Sequence, residues 1–352
     1  MKILIIQQKM IGDVLTSSIL FEALNVEFPE AQLDYLINEH TSPVIKHHPF
    51  INNVIYYTKK EAKSKKALFR FAQRIKKEKY DIVIDVYSKF SSNVISYISS
   101  ANIRISKYKW YSAFIYTHTF ADATTPKTPA GLAIENRLQL LKPILNYKPK
   151  NQTPKIYLTP EELKHSKAFL LNHGLDLLKP IYMISVLGSS QKKTYPFNYM
   201  AELLDALVIA TQGQILFNYI PNQEEDAKAI YNTCKPETQK HIKFDVFGKT
   251  LREFIAITKH CTALIGNEGG AVNMAKAIDV PTFTIFSPWI TKAAWNMFED
   301  GKTHVSIHLN DVKPELYTNT SKKYLKANYK SLYKAFTPNL IVDQLKLFLE
   351  EN

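Results

Sequence analysis

The sequence is short of the residues that would place it in several broad classes. It has only two cysteines, Cys234 and Cys261, in 352 residues. That is too few for a disulfide framework, neither thiol has metal-ligand spacing around it, and the pattern fits a reducing compartment. No apolar run approaches the roughly 20 residues of a membrane span. The opening run Ile3–Ile6 is ended by Gln7, Gln8 and Lys9, so residues 1–24 do not read as a signal peptide. The expectation is a soluble, cytoplasmic chain. Nucleotide signatures are absent as well. No GxGxxG follows the first strand-like run, and Gly248-Lys249-Thr250 is no P-loop because Lys243 stands where its first glycine belongs. No Asp-x-Asp occurs and the ten histidines show no HExxH spacing, so the expected chemistry uses no metal and no cofactor.

What is present is a basic, apolar-rich chain: 45 Lys+Arg against 32 Asp+Glu, net +13, with 45% hydrophobic residues. Disorder is excluded, and an anionic partner is implied. Short β-branched runs alternate with helical spacing, the pattern of parallel α/β sheets. Strands are expected at Lys2–Ile6, Leu33–Ile37, Val54–Tyr57 and Ile82–Val86, and then at Ile181–Val186, Ile215–Tyr219, Ile242–Val246, Ala263–Ile265 and Thr282–Phe286. Helices are expected over Leu15–Phe28 and Lys65–Lys79. Thr159-Pro-Glu-Glu162 and Thr250-Leu-Arg-Glu253 read as capping boxes. The stretch 147–159 reads as the approach to a linker, 310–335 as poorly periodic, and 338–350 as a last helix. Two doubly wound domains follow, and such sheets bind ligands at the carboxyl ends of their strands.

Three segments carry chemistry. In Met10-Ile-Gly-Asp-Val-Leu-Thr16, after the first strand, Gly12 permits close approach and Asp13 is either a helix N-cap or a general base. Val186-Leu-Gly-Ser-Ser-Gln-Lys-Lys-Thr-Tyr-Pro196 is either a solvated loop or a phosphate cradle of backbone N–H groups, hydroxyls and a cation. Ile265-Gly-Asn-Glu-Gly-Gly-Ala-Val-Asn273 runs from a strand through a glycine turn into a helix starting near Ala271. It reads as a pyrophosphate site with Glu268 on sugar hydroxyls, or as a tight turn with Glu268 at the helix terminus.

Taken in order, these segments resemble glycosyltransferase family 9, the lipopolysaccharide heptosyltransferases and relatives of GT-B fold. The resemblance runs over nearly the whole chain. It rests on Ile11-Gly-Asp13, Tyr80-Asp-Ile-Val-Ile-Asp85, Lys193-Thr-Tyr-Pro196, and the stretch Leu251–Gly270 continuing into Ala277-Ile-Asp-Val-Pro281. It implies two Rossmann-like domains facing across a cleft: an acceptor-binding domain over 1–160, a nucleotide-sugar domain over 175–335, and a terminal helix over 336–352 packing back on the first domain. It further implies metal-independent, inverting transfer of a sugar, usually a heptose from ADP-heptose, to a lipopolysaccharide-core-type glycolipid.

By position, Asp13 matches the base, with Gly12 and Lys9 on the acceptor side. Ser189, Ser190 and Lys193 match ligands of the donor phosphates, with Lys193 neutralising the leaving diphosphate. Gly269 and Gly270 match the phosphate-contacting turn, Gln223 or Glu224 the ribose ligand, and Lys249, Thr250 and Leu251 the adenine edge. The family's Asp-Thr-Gly-x-x-His is here Glu268-Gly269-Gly270-Ala-Val-Asn273, and a basic residue expected near position 7 is Gln7. These departures bear on the donor sugar. A transferase using another nucleotide sugar, or a silent nucleotide-sugar-binding protein, are the alternatives.

Lys59, Lys60, Lys63, Lys65, Lys66, Arg70, Arg74, Lys76, Lys77 and Lys79 face only Glu61 and Glu78, with Leu68, Phe71, Ala72 and Ile75 on one helical face beneath them. This run is either a solvated face or a dock for anionic lipid on the inner face of the inner membrane. Nucleic acid is the weaker reading, because the basic residues are not interleaved with aromatics that read as exposed.

Overall fold

The structure, a computed structural model, describes residues 1–147, 149 and 152–352. The chain divides into two compact units, Met1–Tyr157 and Leu158–Asn352. The stretch 147–159, expected as a linker approach, includes Lys148, Lys150 and Asn151, which lie outside the described residues.

The first unit is built on β1 (Lys2–Ile6), β2 (Gln32–Ile37), β3 (Asn53–Tyr56), β4 (Ile82–Asp85), β5 (Ile103–Lys107) and β6 (His118–Phe120), in the order β3-β2-β1-β4-β5-β6. Every pairing is parallel, and Ile3 lies opposite both Leu33 and Ile82. A central parallel strand is covered on both faces, which is why Ile3–Ile6 is uninterruptedly apolar. β5 and β6 escape sequence reading because they sit toward the edge, with polar residues between few apolar ones. The single helix expected over Leu15–Phe28 is two, Ile11–Ser17 and Ile19–Glu27. Three successive hydroxyls explain the break: Thr16 donates to the Gly12 carbonyl (2.6 Å), Ser17 to Asp13 (2.7 Å) and Ser18 to Leu15 (2.8 Å), competing with backbone donors. The basic helix Lys65–Lys77 starts at Ser64, whose Oγ accepts from the Ala67 N–H. It buries Leu68, Phe71, Ala72 and Ile75 against Leu4, Leu36 and Val83, the four positions expected.

The second unit holds β7 (Ile181–Ser185), β8 (Gln214–Phe217), β9 (Ala263–Asn267), β10 (Thr282–Ile285) and β11 (His304–Ile307), in the order β11-β10-β9-β7-β8, again all parallel. The strand expected at Ile242–Val246 is a single bridge from Ile242 to Ile215. Past it the chain turns, and the Phe244 ring stacks on Tyr219 at 5.5 Å. The stretch 310–335 is helical in pieces, including Lys322–Ala327 and Tyr329–Ala335, and it buries Leu332 and Tyr333. Both capping boxes form, at Thr159/Glu162 and Thr250/Glu253.

The last helix, Val342–Glu351, corrects an expectation: it packs on the second unit's own core, where Phe348 meets Phe283 at 5.6 Å and Leu345 is buried. Phe336 is fully buried in that core and its carbonyl accepts from the Tyr195 hydroxyl at 2.7 Å. The short stretch after this anchor keeps the helix beside it.

Candidate active site

In each sheet the strand order reverses between two neighbours, β1 and β4 in the first unit and β7 and β9 in the second. Connections leave such a pair in opposite directions, and a crevice opens at their carboxyl ends. The three chemically informative segments all lie there: 10–16 follows β1, 186–196 follows β7, and 268–273 follows β9.

In the second unit the two loops are stapled by one amide. Asn267 donates through Nδ2 to the carbonyls of Ser185 (2.9 Å) and Val186 (3.0 Å), and its Oδ1 accepts from the Tyr195 N–H at 2.7 Å. Two glycines permit this closeness. A Cβ on Gly266, which has φ 128°, would lie 2.5 Å from the Ser185 carbonyl oxygen, and one on Gly188 would lie 2.2 Å from that of Lys193. The fold thus turns the 186–196 segment back on itself, with Lys193 donating its N–H to Ser190 (2.8 Å) and Thr194 accepting from Gly188 (3.1 Å). Ser189 and Ser190 are exposed.

The Lys193 ammonium sits 3.1 Å from Glu268 Oε1, in a carboxylate only 9% exposed. The pair has Coulombic contact without hydrogen-bond alignment, so this oxygen keeps free acceptor capacity. Gly269 and Gly270 are sterically open, and the helix begins at Gly270, one residue before the expected start, with Asn273 half-buried in its first turn. Gln223 joins the cluster by donating to the Gly188 carbonyl at 2.9 Å, while Glu224 is exposed.

Lys249, Thr250 and Leu251 are tied instead to their own helix start. Thr250 Oγ1 accepts from the Glu253 N–H (3.2 Å), and Glu253 accepts from the Lys249 N–H (2.8 Å). Beside the 188–199 segment lies a cavity of about 690 Å³ whose far wall is Tyr329, Lys330, Tyr333 and Lys334. That wall comes from the stretch without readable periodicity, so sequence reading missed it.

In the first unit, Asp13 does not cap the helix. The N-cap is Met10, at φ 67° and without a side-chain cap, and Asp13 stands in the first turn. A non-glycine residue in that region stores roughly 1–3 kcal/mol of strain. The Asp13 carboxylate accepts from Arg137 Nη2 at 2.8 Å, and Arg137 is fixed by Nε on Ser17 Oγ (2.9 Å) and Nη1 on the Ala133 carbonyl (2.7 Å). Sequence reading missed Arg137. Its available signal was an arginine closing the polar triplet Glu135-Asn136-Arg137 within an otherwise apolar helix, Leu132–Leu138.

Gln7 and Gln8 are buried, with Gln7 donating to the Lys9 carbonyl at 2.9 Å and Gln8 accepting from Ser91 at 2.6 Å. The Lys9 side chain is exposed, and the Gly12 carbonyl takes the Thr16 hydroxyl. Burial, and then the Arg137 charge, hold the Lys107 ammonium below its ordinary range, while burial pushes the Asp85 carboxyl up. Away from the 59–79 run, exposed Tyr108, Trp110, Tyr111 and Phe114 alternate with basic Lys107 and Lys109, because the turn after β5 directs these rings outward. Among the described residues no three His, Cys, Asp or Glu gather as a metal site, and no helix is long and apolar enough to cross a membrane.

Residues 68–330 match the family model for glycosyltransferase family 9 (heptosyltransferase). The chain is similar to lipopolysaccharide heptosyltransferase 1 of Campylobacter coli, at 25% identity over 81% of this chain and 84% of that protein. A solved glycosyltransferase family 9 structure from Veillonella parvula superposes with a TM-score of 0.80 at 17% identity, covering 100% of this chain and 98% of that one. The Escherichia coli ADP-heptose lipopolysaccharide heptosyltransferase II superposes with a TM-score of 0.69 at 17% identity, covering 95% and 99%. The chain is therefore a glycosyltransferase and belongs to glycosyltransferase family 9.

Proposed function

We propose that this enzyme transfers a heptose from ADP-heptose onto a lipopolysaccharide-core-type glycolipid, with inversion and without a metal. The observation that carries the reading is the stapled loop pair, which gathers Ser189, Ser190, Lys193, Glu268 and the open Gly269–Gly270 turn at one sheet crevice. Hydroxyls, an ammonium and unobstructed backbone N–H groups suit a diphosphate. In the reaction the acceptor oxygen bonds to the anomeric carbon, the carbon–oxygen bond to the diphosphate breaks, and ADP leaves. Asp13 takes the acceptor proton, oriented by Arg137, and Lys193 neutralises the charge gathering on the leaving diphosphate. Gln223 and Glu224 serve the ribose, Lys249–Leu251 the adenine edge, Asn273 and Glu268 the sugar, and Gly12 and Lys9 the acceptor. The relatives' names support heptose as the sugar and lipopolysaccharide as the product class.

The exposed basic face over 59–79 supports work at an anionic membrane surface from the cytoplasmic side. A second reading, another nucleotide sugar, is favoured by the glutamate, glycine and asparagine at 268, 269 and 273. A donor panel decides. ADP-heptose should raise the melting temperature and release ADP in the presence of acceptor. Turnover with a different donor alone would replace the heptose assignment, and binding without turnover would leave only a binding protein.

A further inference from the structure

The turn after β5 carries a second kind of surface. Trp110 is 81% and Phe114 79% exposed, with Tyr108 at 54% and Tyr111 at 52%, and Phe90 at the start of the helix Phe90–Ser99 is 65% exposed. These rings are held out on a rigid base. The Tyr116 hydroxyl donates to buried Asp85 at 2.6 Å and contacts Asn93 at 2.8 Å, Arg104 Nε donates to the Ile115 carbonyl at 2.8 Å, and Lys109 Nζ donates to the Ser88 carbonyl. Trp110 and Tyr111 pack edge to face at 5.7 Å, and Ile115 and Tyr116 are buried beneath them. A protein that fixes a loop this firmly, with its largest apolar side chains in water, is presenting them to a partner.

Charge identifies the partner's chemistry. From Val86 to Ala121 the chain has no Asp or Glu, while Lys89, Arg104, Lys107 and Lys109 are cationic; the one carboxylate beside the turn, Asp122, is already paired with Lys107 at 3.4 Å. Tryptophan and tyrosine with lysine, and with no carboxylate left unpaired, is the composition of a bilayer interface, where rings sit at head-group level and ammonium groups meet phosphate. We propose that the 108–114 turn, with Phe90, is the element by which this protein inserts into the interface of an anionic lipid bilayer. The turn starts beside Lys107, whose ionisation feels the Asp13 and Arg137 charges, so the insertion point adjoins the candidate acceptor site of the same unit. The inference rests on the membrane-side reading above, and it assigns the contact to the aromatic turn rather than to the basic helix.

The test uses the full chain and sedimentation with vesicles of phosphatidylcholine with or without phosphatidylglycerol. Wild type should partition onto the anionic vesicles, with Trp110 emission shifting to the blue. W110S/F114S should lose about tenfold or more of that partitioning, the scale expected when two interfacial rings are removed. Its melting temperature and ADP release with a water-soluble acceptor should stay unchanged, because these side chains touch little of the fold. A variant partitioning as wild type does would overturn the inference while leaving the transferase reading intact. So would loss of partitioning confined to K65E/K66E/R70E. Failure of wild type to bind vesicles overturns both the inference and the membrane-side reading. A Trp110-dependent dimer, or Trp110-dependent oligonucleotide binding without vesicle binding, also overturns it.

Discussion

Arg137→Met isolates what the structure adds to Asp13. The guanidinium is 8% exposed and its carboxylate partner 26%, at 2.8 Å. Unit charges about 4 Å apart attract by about 4 kcal/mol at an effective dielectric near 20, and desolvation of the guanidinium returns part of that. Hydrogen bonds to charged groups contribute about 1.5–3 kcal/mol net. Because Asp13 keeps some water, we expect a loss near the middle of that range, about 2 kcal/mol. For a unit of this size that corresponds to about 4–8 °C in melting temperature. Arg137→Lys keeps the charge but not the fork that also holds Ser17 and Ala133, and should recover less than half. In steady-state ADP release, Arg137→Met should lower kcat by about tenfold, with donor KM unchanged, as expected when a general base loses its orientation. Asp13→Asn should lower it by about 100-fold or more. The cycle completed by the double variant should show coupling of about 1–2 kcal/mol in stability. Additivity within about 0.5 kcal/mol would refute the claim that the two side chains act as a unit.

Other outcomes follow from the second unit and the buried groups. Lys193→Ala should weaken ADP binding by about tenfold, whereas Glu268→Gln, which removes the opposing charge, should strengthen it severalfold; calorimetric titration showing equal affinities would end the pairing argument. Burial holds His48 and His304 down at about 4, against about 6.5 unfolded. The unfolded chain therefore binds more protons between those values. Stability is complete above pH about 6.5 and falls as pH drops through about 4, by on the order of 1–3 kcal/mol per imidazole. His48→Leu should flatten this part of the urea-stability profile, and an unchanged profile would refute the assignment. Burial pushes the Cys234 thiol up to about 12 and raises Cys261, so a thiol reagent at mildly alkaline pH should label neither until the chain is denatured. EDTA should leave turnover unchanged, and a loss restored by Mg²⁺ or Mn²⁺ would refute a metal-free mechanism.

The amino-acid order alone was enough to set the fold class, because local and global preferences agree in the central strands. Ile3–Ile6 and Ile181–Ile184 are apolar on both faces, as a doubly covered parallel strand requires, and Gly188 marks the turn that follows one of them. Leu68, Phe71, Ala72 and Ile75 declared their buried face through spacing, and Thr159 and Thr250 declared their caps through chemistry within four residues. What depends on distant residues was not legible. β5 and the edge strands β6 and β11 draw their stability from neighbours already in the sheet. The helix break at Ser18 is set by which hydroxyls find carbonyls, and the last helix is placed by the anchoring of Phe336. At the site, residue types and loops could be read, but pairings could not. Arg137 reaches Asp13 across 124 positions, Asn267 staples loops from two strands, and Lys193 meets Glu268 only because β7 and β9 are neighbours. Those contacts are decided by strand order, and strand order is a property of the packed sheet rather than of any segment within it.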